Sequence, residues 1–244
     1  MDYYAKTDIG KVRQKNQDQA TVLANSKNQV LAVVCDGMGG HKAGEIASRI
    51  VMDHITRCFL FNPPFLNEEE VKIWISDTIL QANTIVQKMA KGNSDHEGMG
   101  TTVVLAIVMG ENLYISHVGD SRAYLCDENT LIQVTKDHTL VNALIDQGAI
   151  SKEEAKHHSQ KNVLLQAVGA SDNITPSFYS IHAHIKIVLL CSDGLYNAVD
   201  DTTIFKTLKS KADVQHKVNT FIDCANTLGG QDNIAVSIIE FGGL

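Results

Sequence analysis

The sequence predicts an α+β fold in which antiparallel β-sheets stack on one another and helices cover the outer faces. Short apolar runs rich in β-branched residues recur along the chain, and some are joined by hairpin-length turns. Long amphipathic stripes occur as well, but a helix does not follow each strand, which disfavours a doubly wound parallel sheet. Nothing reads as an internal repeat, a low-complexity tract or a linker, so residues 1–244 are expected to form a single domain.

Each element has its own signal. Residues from Gly44 to Phe61 place Ile46, Ile50, Val51, Ile55 and Phe59 at near-helical spacing, and Asn62-Pro63-Pro64 closes the segment. Asn67 can cap a second helix with Glu70 at its third position, leading Val71, Ile75, Ile79, Ala82, Ile85 and Met89 along one face. Ser151 and Glu154 form a capping-box signature for a short helix ending near His157-His158. Val214, Val218, Phe221, Ile222, Ala225 and Leu228 make a last stripe, closed by Gly229. VLAVVC, TTVVLAIVM, LYISHV, RAYLC, LIQV, IKIVLLC and IAVSIIEF read as strands, with GEN and DENT as hairpin turns.

Composition narrows the function. Hydrophobic residues make up 44%, enough for a full core. A formal charge of −7 argues against a nucleic-acid binder, which would be rewarded for excess Lys and Arg. Phosphorylated substrates stay open, because a metal can supply positive charge locally. The five cysteines are dispersed and include no CxxC pair, and they read as core residues of a reducing compartment. The polar N-terminus lacks the apolar core of a signal peptide, and no apolar run could span a bilayer. A cytoplasmic, monomeric protein that engages neither membrane nor nucleic acid is expected.

The acidic residues carry the chemistry. Strand-then-Asp-Gly occurs at Asp36-Gly37 and again at Asp193-Gly194. Asp120 stands just past a strand, while Asp232 and Asp18 stand just before others. Each alone would be an ordinary turn former or cap. Several aspartates converging at strand ends, however, could hold two hard divalent cations such as Mg²⁺ or Mn²⁺. Zinc spacing is missing, since His157 and His158 are adjacent and a helix would point them apart. Arg13 could grip a phosphate bidentately, and His41 could protonate a leaving alkoxide. The stretch CDGMGGH could instead cradle a phosphate by itself, but no lysine–hydroxyl pair follows its glycines and no helix opens immediately on them.

TDIGKVRQKNQD, VCDGMGGHKAGEIAS, GMGTTV, HVGDSRAY, TKDHTLVNALIDQGAISKEEA, KNVLLQAVG, LLCSDGLYNAV and GGQDNIAV together resemble the metal-dependent serine/threonine protein phosphatases, the type-2C family, in its bacterial branch. They run in that family's order from residue 7 to about residue 238. The resemblance implies a four-layer αββα sandwich, two antiparallel β-sheets flanked by helix pairs. It implies a dinuclear Mn²⁺ or Mg²⁺ centre bridged by Asp36. Asp193 and Asp232 match the other ligands of one ion, and Asp18 with the Gly37 carbonyl those of the second. Asp120 matches an aspartate that helps hold a third, weaker ion, Arg13 the phosphate-binding arginine and His41 the general acid. Asn233 matches a residue supporting the last metal aspartate, and the glycines would turn the backbone sharply to bring the Gly37 carbonyl to a metal. A metal-activated water would then displace the serine or threonine alkoxide in one step.

The resemblance also implies a mobile flap over about 136–168 and, as partners, phosphorylated proteins including a Ser/Thr protein kinase. Ser159 stands where the family often has proline, and Lys161 and Gln166 lie near arginine positions, which puts flap-based substrate preference in question. Gln17 replaces a glutamate common before the first metal aspartate. Two other functions compete: a catalytically weak phosphoprotein-binding regulator of the same fold, and a phosphohydrolase of small phosphoesters or nucleic acid. The first would be expected to have lost metal aspartates, and the second, for nucleic acid, to carry a basic surface.

Overall fold

A computed structural model describes residues 1–39, 43–91, 96, 98–182 and 185–242. Three strands open the chain, β1 (Asp2–Asp8), β2 (Asp18–Ala24) and β3 (Val30–Met38), followed by the long helices α1 (Ala43–Phe61) and α2 (Glu68–Ala90). Next come β4 (Gly100–Thr101), β5 (Val103–Met109), β6 (Asn112–Val118), β7 (Arg122–Cys126) and β8 (Leu131–Gln133). Short helices α3 (Leu140–Asp146) and α4 (Lys152–Lys156) precede β9 (Ser177–Ile181) and β10 (Ile187–Cys191). Then α5 (Asp193–Tyr196), α6 (Asp201–Leu208) and α7 (Val214–Thr227) lead into β11 (Ile234–Glu240).

The strands form two antiparallel sheets. One has the order β1-β11-β10-β7-β8; the other runs β2-β3-β5-β6-β9, with β4 pairing β3. Side chains on a strand alternate faces, and β3 uses both. Leu31, Val33 and Cys35 meet α1 and α2, in a core that includes Ile55, Phe59, Ile75 and Ile79. Val30, Ala32 and Val34, with Ala106 of β5, face the opposite sheet, where Ala123, Leu190 and Ala235 complete a core made largely of small side chains. A third core packs Leu189, Cys191, Val236 and Ile238 against Ile204, Val218 and Phe221 of α6 and α7. Three cores between four layers make the expected αββα sandwich. They also explain why the central strands read as unbroken apolar runs: both faces are covered.

Capping chemistry sets the helix ends. The Asn67 side chain accepts from the Glu70 N–H, but Glu70 closes back on the Leu66 N–H rather than on the cap residue's own. At α4 the box is reciprocal, between the Ser151 N–H and Glu154 Oε2 and between the Glu154 N–H and Ser151 Oγ. Several elements exceed the sequence reading. β1 is a polar strand recruited by its ladder to β11, from Asp2 opposite Glu240 to Asp8 opposite Ile234. β9 is half-buried and earns its place by pairing β6. TTVVLAIVM divides at Thr102, which stands between β4 and β5.

One buried charge pair ties the α7 layer to its sheet. The Lys217 side chain is 2% exposed, and its Nζ donates to both oxygens of Glu240 at 2.8 Å. Removing one member of such a pair strands the other, whereas an apolar isostere for the buried member is often tolerated. Glu240→Ala is therefore expected to cost about 3 kcal/mol in denaturant unfolding, with Lys217→Met nearly neutral. Equal losses in the two variants would show that the pair stabilises the fold outright.

Candidate active site

The strands deliver the acidic residues to one end of the sandwich. Asp18 begins β2 and lies directly opposite Asp36 of β3 in the antiparallel register. In the other sheet, where β10 and β11 are neighbours, Asp193 lies two residues past the end of β10 and Asp232 two residues before the start of β11. Asp120 occupies the turn between β6 and β7. Adjacent strands that run antiparallel place the end of one beside the start of the next, so five positions far apart in sequence become neighbours.

The backbone around them is held by side chains that carry no charge. The Asp36 N–H donates to Thr102 Oγ1 at 3.0 Å, and its carbonyl accepts from Thr101 Oγ1 and the Thr102 N–H, each at 2.8 Å. Thr102 Oγ1 also meets Ser121 Oγ at 2.6 Å, tying Asp36 to the Asp120 turn. Ser192 is the N-cap residue of α5 but does not cap it. Its hydroxyl goes instead to Asp18 Oδ2 at 2.6 Å, while its oxygen accepts from the Ala235 N–H. These buried hydroxyls are functional residues that motif reasoning passed over. For Ser121 and Ser192 the only signal was position, immediately beside an aspartate in GDSR and CSDG, and the threonines of GMGTTV have no aspartate beside them in sequence.

Two glycines are required by contact. A Cβ at Gly37 would lie 2.2 Å from the Gly44 carbonyl oxygen and 2.6 Å from that of Gln17. β3 runs on through Met38, and past Gly37 left-handed backbone comes at Gly39, with φ 130. Gly37 is glycine because strand and helix backbones touch there. At Gly194 a Cβ would sit 1.9 Å from the Asn233 carbonyl oxygen, so the second Asp-Gly serves the same close approach.

Asn233 is bound up with the N-terminal loop. Its Oδ1 accepts from the Gln17 N–H at 2.8 Å, and its Nδ2 donates to the carbonyls of Ile9 and Lys15, each at 2.9 Å. Only its backbone N–H turns to Asp232, at 2.8 Å. Asn233 thus anchors the loop that carries Arg13, more than it props the aspartate beside it. Arg13 Nη2 donates to Asp232 Oδ2 at 2.7 Å, with the arginine side chain 51% exposed.

The electrostatics are uncompensated. Asp18, Asp36, Asp120 and Asp193 all have raised pKa values, burial being the largest cause in each and repulsion from the other carboxylates adding to it. Asp120 is pushed up to about 7. Asp36 feels all the others, and its carboxyl lies within hydrogen-bonding reach of both Asp18 and Asp193. Arg13 is held above its ordinary value, chiefly by its hydrogen bond to Asp232. Among the described residues no group of three His, Cys, Asp or Glu side chains closes on a single point, and the Arg13 and Ser192 bonds engage two of the aspartates. A set of hard oxygen donors, half-buried and mutually repelling, nevertheless fits divalent cations of the Mg²⁺ or Mn²⁺ kind. Of the residues singled out in the sequence, Asp18, Asp36, Gly37, Asp120, Asp193, Asp232 and Arg13 are gathered here; His41 lies outside the described residues.

The comparisons agree with this arrangement. A profile of the Protein phosphatase 2C family matches residues 4–144, more than half of the chain. The "Serine/threonine phosphatase stp" of Listeria welshimeri is 40% identical over 236 residues, covering 96% of this chain and 94% of that protein. A crystal structure described as a bacterial serine phosphatase superposes with a TM-score of 0.92 at 33% identity, over 100% of this chain and 99% of the other. The catalytic domain of the serine threonine protein phosphatase PstP, solved with 2 manganese ions, gives a TM-score of 0.85 at 32% identity, over 98% and 97% of the two chains. Motif order, paired sheets and clustered aspartates all point the same way, and the chain belongs to the protein phosphatase 2C family.

Proposed function

We propose that the chain is a metal-dependent protein serine/threonine phosphatase, hydrolysing phosphoserine and phosphothreonine and so reversing a cytoplasmic Ser/Thr kinase. One observation carries the reading: the buried Asp18 and the half-buried Asp36, Asp120 and Asp193 repel one another beside the half-exposed guanidinium of Arg13. Family membership and the manganese complex of a relative support it. In this reading Asp36, Asp193 and Asp232 would hold one Mn²⁺ or Mg²⁺ ion, and Asp36 with Asp18 and the Gly37 carbonyl a second. Asp120 helps hold a third, weaker ion. Bound there, the ions supply positive charge to the phosphoryl oxygens and activate the attacking water.

The chain's own groups do the rest. Arg13 can exchange its partner Asp232 for two phosphoryl oxygens, because its planar fork matches either. That exchange orients the phosphoryl group and frees Asp232 as a ligand. The Asn233 bonds hold the Arg13 loop in place throughout, so the guanidinium moves without its backbone. Asp36, with its backbone bonded to Thr101 and Thr102, cannot drift from the centre of the cluster. His41 is assigned the proton donor to the leaving alkoxide, and the segment 136–168 the flap that governs access.

Hydrolysis of a phosphothreonine peptide in Mn²⁺ should fall on the order of 100-fold or more in Asp36→Asn or Asp193→Asn, and should cease in EDTA. Unchanged turnover in either variant would sink the dinuclear assignment, and a wild type inactive under every divalent metal would favour a phosphoprotein-binding regulator. His41→Ala should lose about 100-fold on the phosphopeptide and much less on p-nitrophenyl phosphate, whose leaving group needs little protonation. Equal losses would remove His41 as the acid.

The buried charge has a signature in stability. The folded pKa of Asp120, about 7, lies above its ordinary 3.8, so the folded state binds more protons between those values. An acid raised in this way costs stability, and the cost grows as pH rises through that window. In EDTA, wild type should therefore lose stability relative to Asp120→Asn between pH ~5 and ~7, followed by denaturant unfolding of both. A stability difference independent of pH would rule out the uncompensated-charge account.

A further inference from the structure

The turn that presents Asp120 is held from two sides by residues no metal assignment uses. On one side, the His138 N–H donates to the Gly119 carbonyl at 2.9 Å, and the Gly119 N–H donates back to His138 Nδ1 at 3.2 Å. That second bond leaves the His138 proton on Nε2, which meets Ser177 Oγ at 3.0 Å. On the other side, the Tyr196 hydroxyl donates to the Asp120 carbonyl at 3.1 Å. Gly119 itself has φ +102, and a Cβ there would strike the Thr102 side chain at 2.7 Å, so the turn has little freedom to relax.

Arg122 joins these two sides. Its guanidinium carbon lies 3.6 Å from the centroid of the Tyr196 ring, a stacked cation–π contact. Its Nε donates to Asp137 at 3.0 and 3.1 Å, its Nη2 to Asp137 Oδ2 at 2.7 Å, and its Nη1 to the Tyr124 hydroxyl at 3.2 Å. Asp137, next to His138, is fixed in turn by Gln133 Nε2 on its carboxylate and by Asn142 Nδ2 on its carbonyl. With its nitrogens engaged and its face covered, Arg122 is not arranged to bind a phosphate. It fastens Tyr196, at the end of the helix that Asp193 begins, to the start of the 136–168 segment.

We propose that Arg122 and Tyr196 are positioning residues: they clamp the Gly119–Asp120 turn between α5 and Asp137-His138, and thereby set how tightly Asp120 can share a divalent cation. The proposal rests on the reading of Asp120 as an ion ligand. The hydroxyl bond orients the Asp120 peptide, and the arginine stack keeps the hydroxyl where it can do so. A bond to the main chain of a ligand acts as an outer-shell contact does, by fixing the approach of the carboxylate.

The test is calorimetric titration of the whole chain with Mn²⁺, in wild type, Tyr196→Phe, Asp120→Asn and the double variant, with thermal unfolding in EDTA alongside. Tyr196→Phe keeps the ring under Arg122 and removes only the donor. It should weaken the Asp120-dependent Mn²⁺ site about 10-fold, and the double variant should match Asp120→Asn. Arg122→Lys keeps the charge but loses the fork and the stack, and should shift the same site in the same direction. If Asp120→Asn weakens Mn²⁺ binding while Tyr196→Phe does not, the positioning role is overturned and the ligand reading stands. A lowered melting temperature in Tyr196→Phe with unchanged Mn²⁺ affinity overturns it as well, as does an equal further loss in the Asp120→Asn background. If Asp120→Asn itself leaves binding unchanged, the ligand reading fails and takes the proposal with it.

Discussion

Repulsion among carboxylates crowded together and largely shielded from water is the constraint to which the rest of this molecule answers. Asp18, Asp36, Asp120 and Asp193 are raised by burial and by one another, and a chain free to relax would spread them into water. It is prevented by the sandwich. Asp18 and Asp36 are opposed in one antiparallel ladder, and Asp193 and Asp232 flank adjoining strands of the other. Moving Asp18 or Asp36 out means breaking the ladder between β2 and β3. The apolar cores thus hold together what electrostatics would drive apart, which is the usual relation between a binding site and its scaffold.

Close approach of the two halves follows from the same need. The core between the sheets is built largely from Ala and Val, so the sheets can come near enough for their strand ends to share a site. Gly37 and Gly194 extend that economy of volume to the rim, where a single methyl would strike a carbonyl oxygen. The hydroxyls of Thr101, Thr102 and Ser192 then satisfy the backbone that this crowding buries, and Ser121 bonds the Thr102 hydroxyl. A buried N–H or C=O left without a partner would cost more than the bond itself returns. Small polar side chains are therefore as much a consequence of the carboxylate cluster as the glycines are.

Much of this was legible in the chain, and the reason lies in what each signal depends on. Strands covered on both faces announce themselves, because VLAVV and IVLL have no polar side to show. Capping at Asn67 and Ser151 is local chemistry, readable wherever it occurs. By contrast β1, with the sequence DYYAKTD, exists through its pairing with β11, and α6 through the groove that receives Ile204 and Leu208. Tertiary pairing overrode weak local preference in both. The aspartates could be read from their place beside strands, whereas their neighbours could not. Ser192 looks like an ordinary cap until the register of β2 brings Asp18 to its hydroxyl, and Asn233 looks like a partner of Asp232 until the N-terminal loop folds onto its amide.

That loop shows how a half-exposed arginine can be both mobile and placed. Arg13 binds Asp232 across the site, an ion pair exposed enough to be worth little by itself. Its backbone, however, is fastened through Asn233 to Ile9, Lys15 and Gln17, and Gln17 in turn accepts the Gly37 N–H and the Ser48 hydroxyl. Gly37 adjoins Asp36, so the loop that offers the cation and the strand that offers the central carboxylate are joined by one chain of hydrogen bonds. The weak ion pair leaves the guanidinium free to change partners at low cost, while the strong backbone anchorage keeps it within reach of the cluster. In the proposed reading, positioning and exchange are separated into different bonds, as a site that binds an anion above its own carboxylates would require.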